Sequence, residues 1–359
     1  MTKIVKALYD TIHPEEGLKG NIVATPQPDS ILHSIFPSNE VTIEYHASGT
    51  LLYHKLERWI YPIDIHNLTY INFLFHSDIT NNDMMSLLSN RVRHGIRTNK
   101  GTVLVIVREP LSGDSNEIKH FVSLIEKNPD YKNVLFLTLH HIDSPNFLYP
   151  NILADTMYDW SPTFNITGSN NYLEGYGRRR YSCFLMNYKE SNERTVLLKY
   201  LEKHDLFDEG FVSATNYTSS KVFNDLDIAT TLNKTLLNII PEGSFLRTTH
   251  PFLSEKTYRS FLFKKPFIYL GQPRFLEYIK SLGYRTFNPI INEKYDEIID
   301  NKLRVLYVCK EIKRLMNRPL EEFVLDMSKL QEICEHNYNL YITIEAEQKA
   351  KLYNRVLHN

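Results

Sequence analysis

THPFLSEKTYRSFLFKKPFIYLGQPRFLEYIKSLGYRTF, from Thr249 to Phe287, reads as helix, strand, tight turn and helix in succession. Ser254 is a good N-cap, and Glu255 and Lys256 fall in the first turn behind it, so a helix is predicted over Ser254–Phe263. Pro266–Leu270 is a short, nearly continuous apolar run, the pattern of a strand buried on both faces. Gly271-Gln272-Pro273 turns the chain at the strand's carboxyl end, and Phe275–Leu282 resumes helical spacing. In open α/β sheets ligands bind at that carboxyl edge. A helix start there offers free N–H groups and the positive end of the dipole, both suited to a phosphate. Lys256 adds a full charge, and the Glu255 carboxylate can accept from a ribose diol. On pattern alone Glu255 is equally a dipole-favoured first-turn residue and Lys256 a solvated surface lysine.

The alternation continues upstream. Tyr181–Asn187 reads as a strand, and Glu193–His204 as an amphipathic helix with Val196, Leu197, Tyr200 and Leu201 on one side. Phe211–Ala214 reads as a strand, and Ala229–Ile240 as partly helical. Nearer the N-terminus, Val41–Tyr45, Tyr70–Phe75, Thr102–Val107 and Asn133–Leu139 are strand-like, separated in part by helical stretches at Asn82–Arg93 and Glu117–Lys127. Ser161–Arg180, rich in Gly, Asn and Ser and then basic, reads as a linker. From Asn292 onward the chain is charged and helical. A chain of 359 residues exceeds what one hydrophobic core serves. The expected fold class is α/β, with two Rossmann-like lobes facing a cleft and a C-terminal helical tail. The expected boundaries are 1–165, 181–290 and 291–359.

Composition narrows the function classes. The net charge is −1, with 42% hydrophobic and 23% charged residues, so any polyanion must meet a local patch rather than a global field. The three cysteines, Cys183, Cys309 and Cys334, are far apart without metal-ligand spacing, as expected of idle thiols in a reducing compartment. No signal peptide and no apolar stretch of membrane-helix length is read, so a cytoplasmic protein with no membrane partner is expected. There is no Walker glycine loop and no Gly-x-Ser-x-Gly elbow. His140 and His141 are adjacent, and neighbours on a strand point to opposite faces, so with Asp143 they make a poor metal site.

The segment PEGSFLRTTHPFLSEKTYRSFLFKKPFIYLGQPRFLEY resembles the donor-binding motif of the α1,3-fucosyltransferase family, which has the two-lobed GT-B fold. It is closer still to phage- and virus-encoded glycosyltransferase-like proteins. Both share an acidic loop, a Ser/Thr-Glu-Lys helix start, an aliphatic strand and a Gly-x-Pro turn. YSCFLMNYKESNERTVLLKYLEKHDLFDEGFVSA, upstream, resembles theirs as well, and together the motifs span Tyr181 to Phe287. The resemblance implies a glycosyltransferase whose C-terminal lobe, 181–290, holds the nucleotide-sugar, while 1–165 forms the acceptor side. It places Arg194 on the donor diphosphate, Lys256 as a second phosphate-neutralising cation behind Ser254, and Glu255 at the ribose. Glu242 falls in the acidic loop beside the donor, although Gly243-Ser244 replaces the usual Asn-Thr. Two cations and a helix start can stabilise a departing diphosphate without a metal, and no Asp-x-Asp follows an N-terminal strand. No cofactor is expected beyond the nucleotide-sugar substrate, and the reaction is expected to invert.

The acceptor hydroxyl needs a general base, usually a carboxylate at a strand end. Glu109, just after Thr102–Val107 and before Pro110, matches where the family places its catalytic glutamate. Asp64 and Asp78 follow the same strand-end logic. Two basic clusters stand out: Arg91, Arg93 and Arg97 in NRVRHGIRTNK, and Arg178, Arg179 and Arg180 at the linker. With Tyr172 and Tyr176 nearby they are candidates for a DNA surface, or equally a solvated basic face. The expected acceptor is a hydroxymethylated base of phage DNA, of the 5-hydroxymethylcytosine type. A glycan or protein acceptor, or a non-catalytic binding protein on the same fold, are the alternatives.

Overall fold

The computed structural model describes residues 3–13, 41–46, 51–52, 70–75, 97–98, 100–107, 114–148, 179–185, 189, 191–223, 228–243 and 250–358. Glu109, Asp64, Asp78, Arg91, Arg93, Arg178, Tyr172 and Tyr176 lie outside these residues. The chain divides into two compact units. The first comprises Met1–Phe164, Phe252–Ser254 and Ile344–Asn359, and the second Asn165–Pro251 and Glu255–Thr343.

The first unit is built on a parallel sheet. Its described strands are β1 (Lys3–His13), β2 (Val41–His46), β3 (Leu51–Leu52), β4 (Tyr70–Phe75), β5 (Thr102–Val107), β6 (Val134–Leu137) and β7 (Phe147–Leu148). The order is β2-β1-β4-β5-β6-β7, with β3 also paired to β1. Helix α1 (Ser115–Lys127) opens with a capping box. Asp114 Oδ1 accepts from Asn116 N at 2.7 Å and Glu117 N at 3.0 Å, while Glu117 returns a carboxylate to Asp114 N at 2.7 Å. Ile118, Phe121 and Ile125 share the buried stripe of α1. Phe121 meets Phe136 and Phe147 edge-on, with both centroids 6.3 Å away. Every β6 side chain is buried, as a strand covered on both faces requires.

The second unit holds a smaller parallel sheet of β8 (Tyr181–Phe184), β9 (Gly210–Ser213), β10 (Leu237–Pro241) and β11 (Phe267–Leu270), in the order β11-β10-β8-β9. Its helices are α2 (Asn192–Lys203), α3 (Ile228–Asn233), α4 (Glu255–Leu262), α5 (Phe275–Ser281), α6 (Asn301–Met316) and α7 (Leu320–Lys329). A last helix, α8, runs over Gln331–His358; its residues up to Thr343 are counted with the second unit and the rest with the first. From β8 the chain passes to β9 on one side, then returns to β10 on the other. The gap between β8 and β10 is therefore the topological switch point, where open α/β sheets form a crevice.

Ala229–Ile240 is helical in part, as its sequence suggests, since α3 runs to Asn233; the sequence reading expects no strand in the rest of it, yet Leu237–Pro241 is the fully buried strand β10. A short apolar run such as LNIIP carries no periodicity that separates strand from helix. Sheet pairing decides it, because β10 bonds to both β8 and β11.

Candidate functional site

Four charged side chains from three separate segments meet at the carboxyl edge of β8 and β10. Arg194 comes from the first turn of α2, the helix after β8. Ser191 caps that helix, accepting from Arg194 N at 3.3 Å. Arg194 is 5% exposed. Its Nε donates to the carbonyls of Pro241 at 3.2 Å and Glu242 at 3.1 Å, and Nη2 donates to Pro241 at 2.9 Å. The guanidinium thus binds the end of β10 directly.

Gly243 explains how the guanidinium fits there. A Cβ at that position would lie 3.1 Å from Arg194 Nη2 and 3.4 Å from Cζ. The departure from Asn-Thr noted in the sequence leaves room beside the arginine.

Glu242 follows β10, with its side chain 3% exposed and its N–H donated to Leu270 O at 2.8 Å. Lys256, in the first turn of α4, places Nζ 3.4 Å from Glu242 Oε2 and 2.6 Å from Glu255 Oε1. Burial works against the charge on Lys256, but Glu242 and then Glu255 outweigh it and hold the ammonium above its ordinary range. Burial likewise opposes ionisation of Glu255, but Lys256 and then Arg259 hold its carboxyl below the usual range. Both groups are therefore charged at neutral pH. Ser254, directly before α4, is buried.

The neighbouring turn is fixed from beneath. A Cβ on Gly271 would overlap the Tyr269 ring at 2.2 Å, so the turn demands glycine. Tyr269 stacks on Phe275 at 3.6 Å and donates its hydroxyl to Gln272 Oε1 at 2.6 Å. Arg304 of α6, 1% exposed, donates Nε to Gly271 O at 2.9 Å and Nη1 to Ile298 O and Ile299 O. Sequence reading passed over Ser191 and Arg304, and it noted Gly243 only as a departure from the family pattern. Ser191 carries a legible signal, a serine directly before an amphipathic run. Arg304 carries none, since it sits in a lysine-rich helix whose buried face only packing reveals.

The basic clusters divide. Arg179 Nη1 donates to the carbonyls of Phe207 and Gly210, and its guanidinium lies 5.1 Å and 5.2 Å from the Phe211 and Phe223 ring centroids. Arg180 donates to Met316 O at 2.9 Å and Arg318 O at 2.7 Å and pairs with Glu209 at 2.9 Å. Both arginines are thereby engaged within the second unit. Arg97 is half exposed and pairs with Asp130 at 2.8 Å. His140 is buried, its ring 5.8 Å from that of Phe252, while His141 is partly exposed and lowered in pKa by burial. Among the described residues no group of three or more His, Cys, Asp or Glu is arranged to hold a metal ion.

Neither a protein-family model nor a curated protein matches the sequence. Solved structures do resemble it in fold. An α1,3-fucosyltransferase with GDP-fucose aligns over 98% of this chain and 91% of its own, at 11% identity and a TM-score of 0.45. The glycotransferase of kitacinnamycin aligns over 97% and 99%, at 8% identity and 0.44. The T4 phage BGT in complex with UDP and Mn2+ aligns over 98% and 99%, at 9% identity and 0.43.

Proposed function

We propose that the chain is a glycosyltransferase that takes a nucleotide-sugar at the carboxyl edge of β8 and β10. The observation that carries this reading is the convergence of Arg194, Glu242, Glu255 and Lys256 at the switch point of the second sheet, with the starts of α2 and α4 at the same edge. Helix starts and cations suit a diphosphate. The four named charges sum to zero, so a dianionic ligand enters by competing with Glu242 and Glu255 for Lys256. A carboxylate so released has a ribose hydroxyl as its natural new partner, which is the role proposed for Glu255.

The reaction proposed is a single inverting displacement. The acceptor oxygen bonds to the anomeric carbon as the bond to the diphosphate oxygen breaks, and the acceptor proton passes to a base. Glu109, two residues beyond the end of β5, is the proposed base. The departing diphosphate is stabilised by Arg194 and Lys256, in a metal-independent scheme. The acceptor proposed is a hydroxymethylated base of DNA, which would have to leave the stack to be reached. With Arg179 and Arg180 engaged internally, the backbone contacts fall to Arg91, Arg93, Arg97 and Arg178.

Thermal shift against a panel of nucleoside diphosphates tests the donor site first. A ligand at about 100 times its dissociation constant adds about 2.7 kcal/mol of stability. If no nucleotide stabilises the protein, the reading fails. Transfer to hydroxymethylcytosine DNA, read by mass spectrometry of digested nucleosides, tests the acceptor separately; transfer to a glycan or protein instead would reassign the acceptor alone.

A further inference from the structure

Helix α6 has a buried face of Arg304, Val305, Val308, Cys309, Ile312 and Leu315. Its outward face is not the usual charged one. Leu303, Leu306 and Tyr307 are between 42% and 46% exposed, and Ile299, one turn before Leu303, is 63% exposed. The same face carries the exposed Lys302 and Lys310, with Lys310 Nζ 5.4 Å from the centre of the Tyr307 ring. The one acid in α6, Glu311, is buried and held by Arg314 at 2.6 Å.

Helix α2 packs alongside in parallel, Lys313 donating to His204 Nδ1 at 3.1 Å near the carboxyl ends of both. It extends the face with exposed Val196, Lys199 and Lys203. The acids of α2 accept from hydroxyls, Glu193 from Ser191 and Glu202 from Tyr217, and the exposed Asp300 caps α6 beside Ile299. Among the described residues, Lys199, Lys203, Lys302 and Lys310 form no ion pair.

We propose that this face of α6 and α2 docks on an anionic lipid bilayer. Large exposed side chains rimmed by unpaired lysines match a surface that is apolar beneath and negatively charged above. Leu303, Leu306 and Ile299 would enter the boundary between headgroups and acyl chains, Tyr307 would sit at headgroup level, and the lysines would meet the anionic headgroups. A second copy is a poor occupant, because a self-complementary contact would set lysines against lysines. Duplex DNA would satisfy the lysines and leave the apolar side chains uncovered. The contact proposed is peripheral, and no helix among the described residues is long and apolar enough to cross a membrane.

Cosedimentation of the full chain with vesicles tests this. Phosphatidylcholine vesicles with about one third phosphatidylserine should retain the protein, and pure phosphatidylcholine should not. Lys302→Glu/Lys310→Glu should weaken retention by at least about 25-fold, at roughly fivefold, or about 1 kcal/mol, per lysine. Leu306→Ser/Tyr307→Ser should abolish the part of the binding that survives high salt. All four substitutions are at exposed positions, and circular dichroism checks that the fold is kept. Failure of the native protein to sediment with anionic vesicles overturns the proposal, as does unchanged retention in both variants. Self-association abolished by the apolar pair would reassign the face to a second copy. Retention of duplex DNA without vesicle binding, lost in the lysine pair, would reassign it to nucleic acid. None of these outcomes depends on the nucleotide site.

Discussion

Lys256 and Arg194 are held in different ways. Lys256 is fixed by carboxylates at 2.6 and 3.4 Å, which a ligand can replace. Arg194 is fixed by backbone carbonyls at the end of β10. Lys256→Ala and Arg194→Ala should each weaken nucleoside diphosphate binding by about 1.5–3 kcal/mol, the range for charged hydrogen bonds, measured by titration calorimetry. Unchanged affinity in both, with the fold intact, would remove the donor site from this edge. Gly243→Ala should displace the guanidinium with its added methyl, lowering affinity more than Gly283→Ala, which lies in the turn after α5.

Asp296 offers a prediction in pH. Its Oδ2 accepts from Leu276 N at 3.0 Å, while burial pushes its carboxyl up from 3.8 to about 6. A raised carboxyl stabilises the fold in its protonated form. That contribution is complete below the unfolded value near 4 and is lost as pH rises through about 6. Asp296→Asn keeps an acceptor and cannot ionise, so it should flatten the fall in stability between those values. At about 1.4 kcal/mol per unit the effect is on the order of a few kcal/mol, and melting temperature against pH reads it.

At the scale of elements, local signals and tertiary pairing divide the work. The capping box of α1 is written in sequence, and Asp114→Ala should cost about 0.5–2 kcal/mol, seen as a lowered melting temperature. Arg304 joins α6 to the turn after β11 by donating to carbonyls that are otherwise far apart in sequence. Arg304→Leu leaves those carbonyls without charged donors, at about 1–3 kcal/mol for each group left buried and unsatisfied. It should rank among the most destabilising single changes in the second unit. Arg180 does similar work for the end of α6, bonding Met316 O and Arg318 O. Arg180→Ala should therefore lower stability, measurable by denaturant midpoint, whatever it does to polyanion binding.

At the scale of the molecule, each unit repeats one solution: a parallel sheet whose strand order reverses beside its first strand. In the first unit the reversal falls between β1 and β4, and in the second between β8 and β10. If Glu109 is the base, Glu109→Gln should keep nucleotide affinity and lower turnover by about 10²–10⁴ in a transfer assay. Native turnover in that variant would send the search to Asp64 and Asp78. The amino-acid sequence alone determined the α/β class, because β4, β5, β6, β8 and β11 are short apolar runs of a kind that only a doubly covered sheet accommodates. It also marked Glu255 and Lys256, since a cap, a charge and a helix start lie within one turn of each other, and it marked Arg194 through the resemblance to the fucosyltransferase motif. It did not determine that LNIIP is the strand joining β8 to β11, because a five-residue apolar run has no period to read. Nor did it determine which arginines stay outside. Arg179 and Arg180 look like a surface cluster in a row of three, and only the fold brings carbonyls from Phe207, Gly210, Met316 and Arg318 within hydrogen-bonding reach. Periodicity and caps act over a few residues and are therefore legible in order along the chain. Partners separated by more than a hundred positions meet only once the strands have been placed.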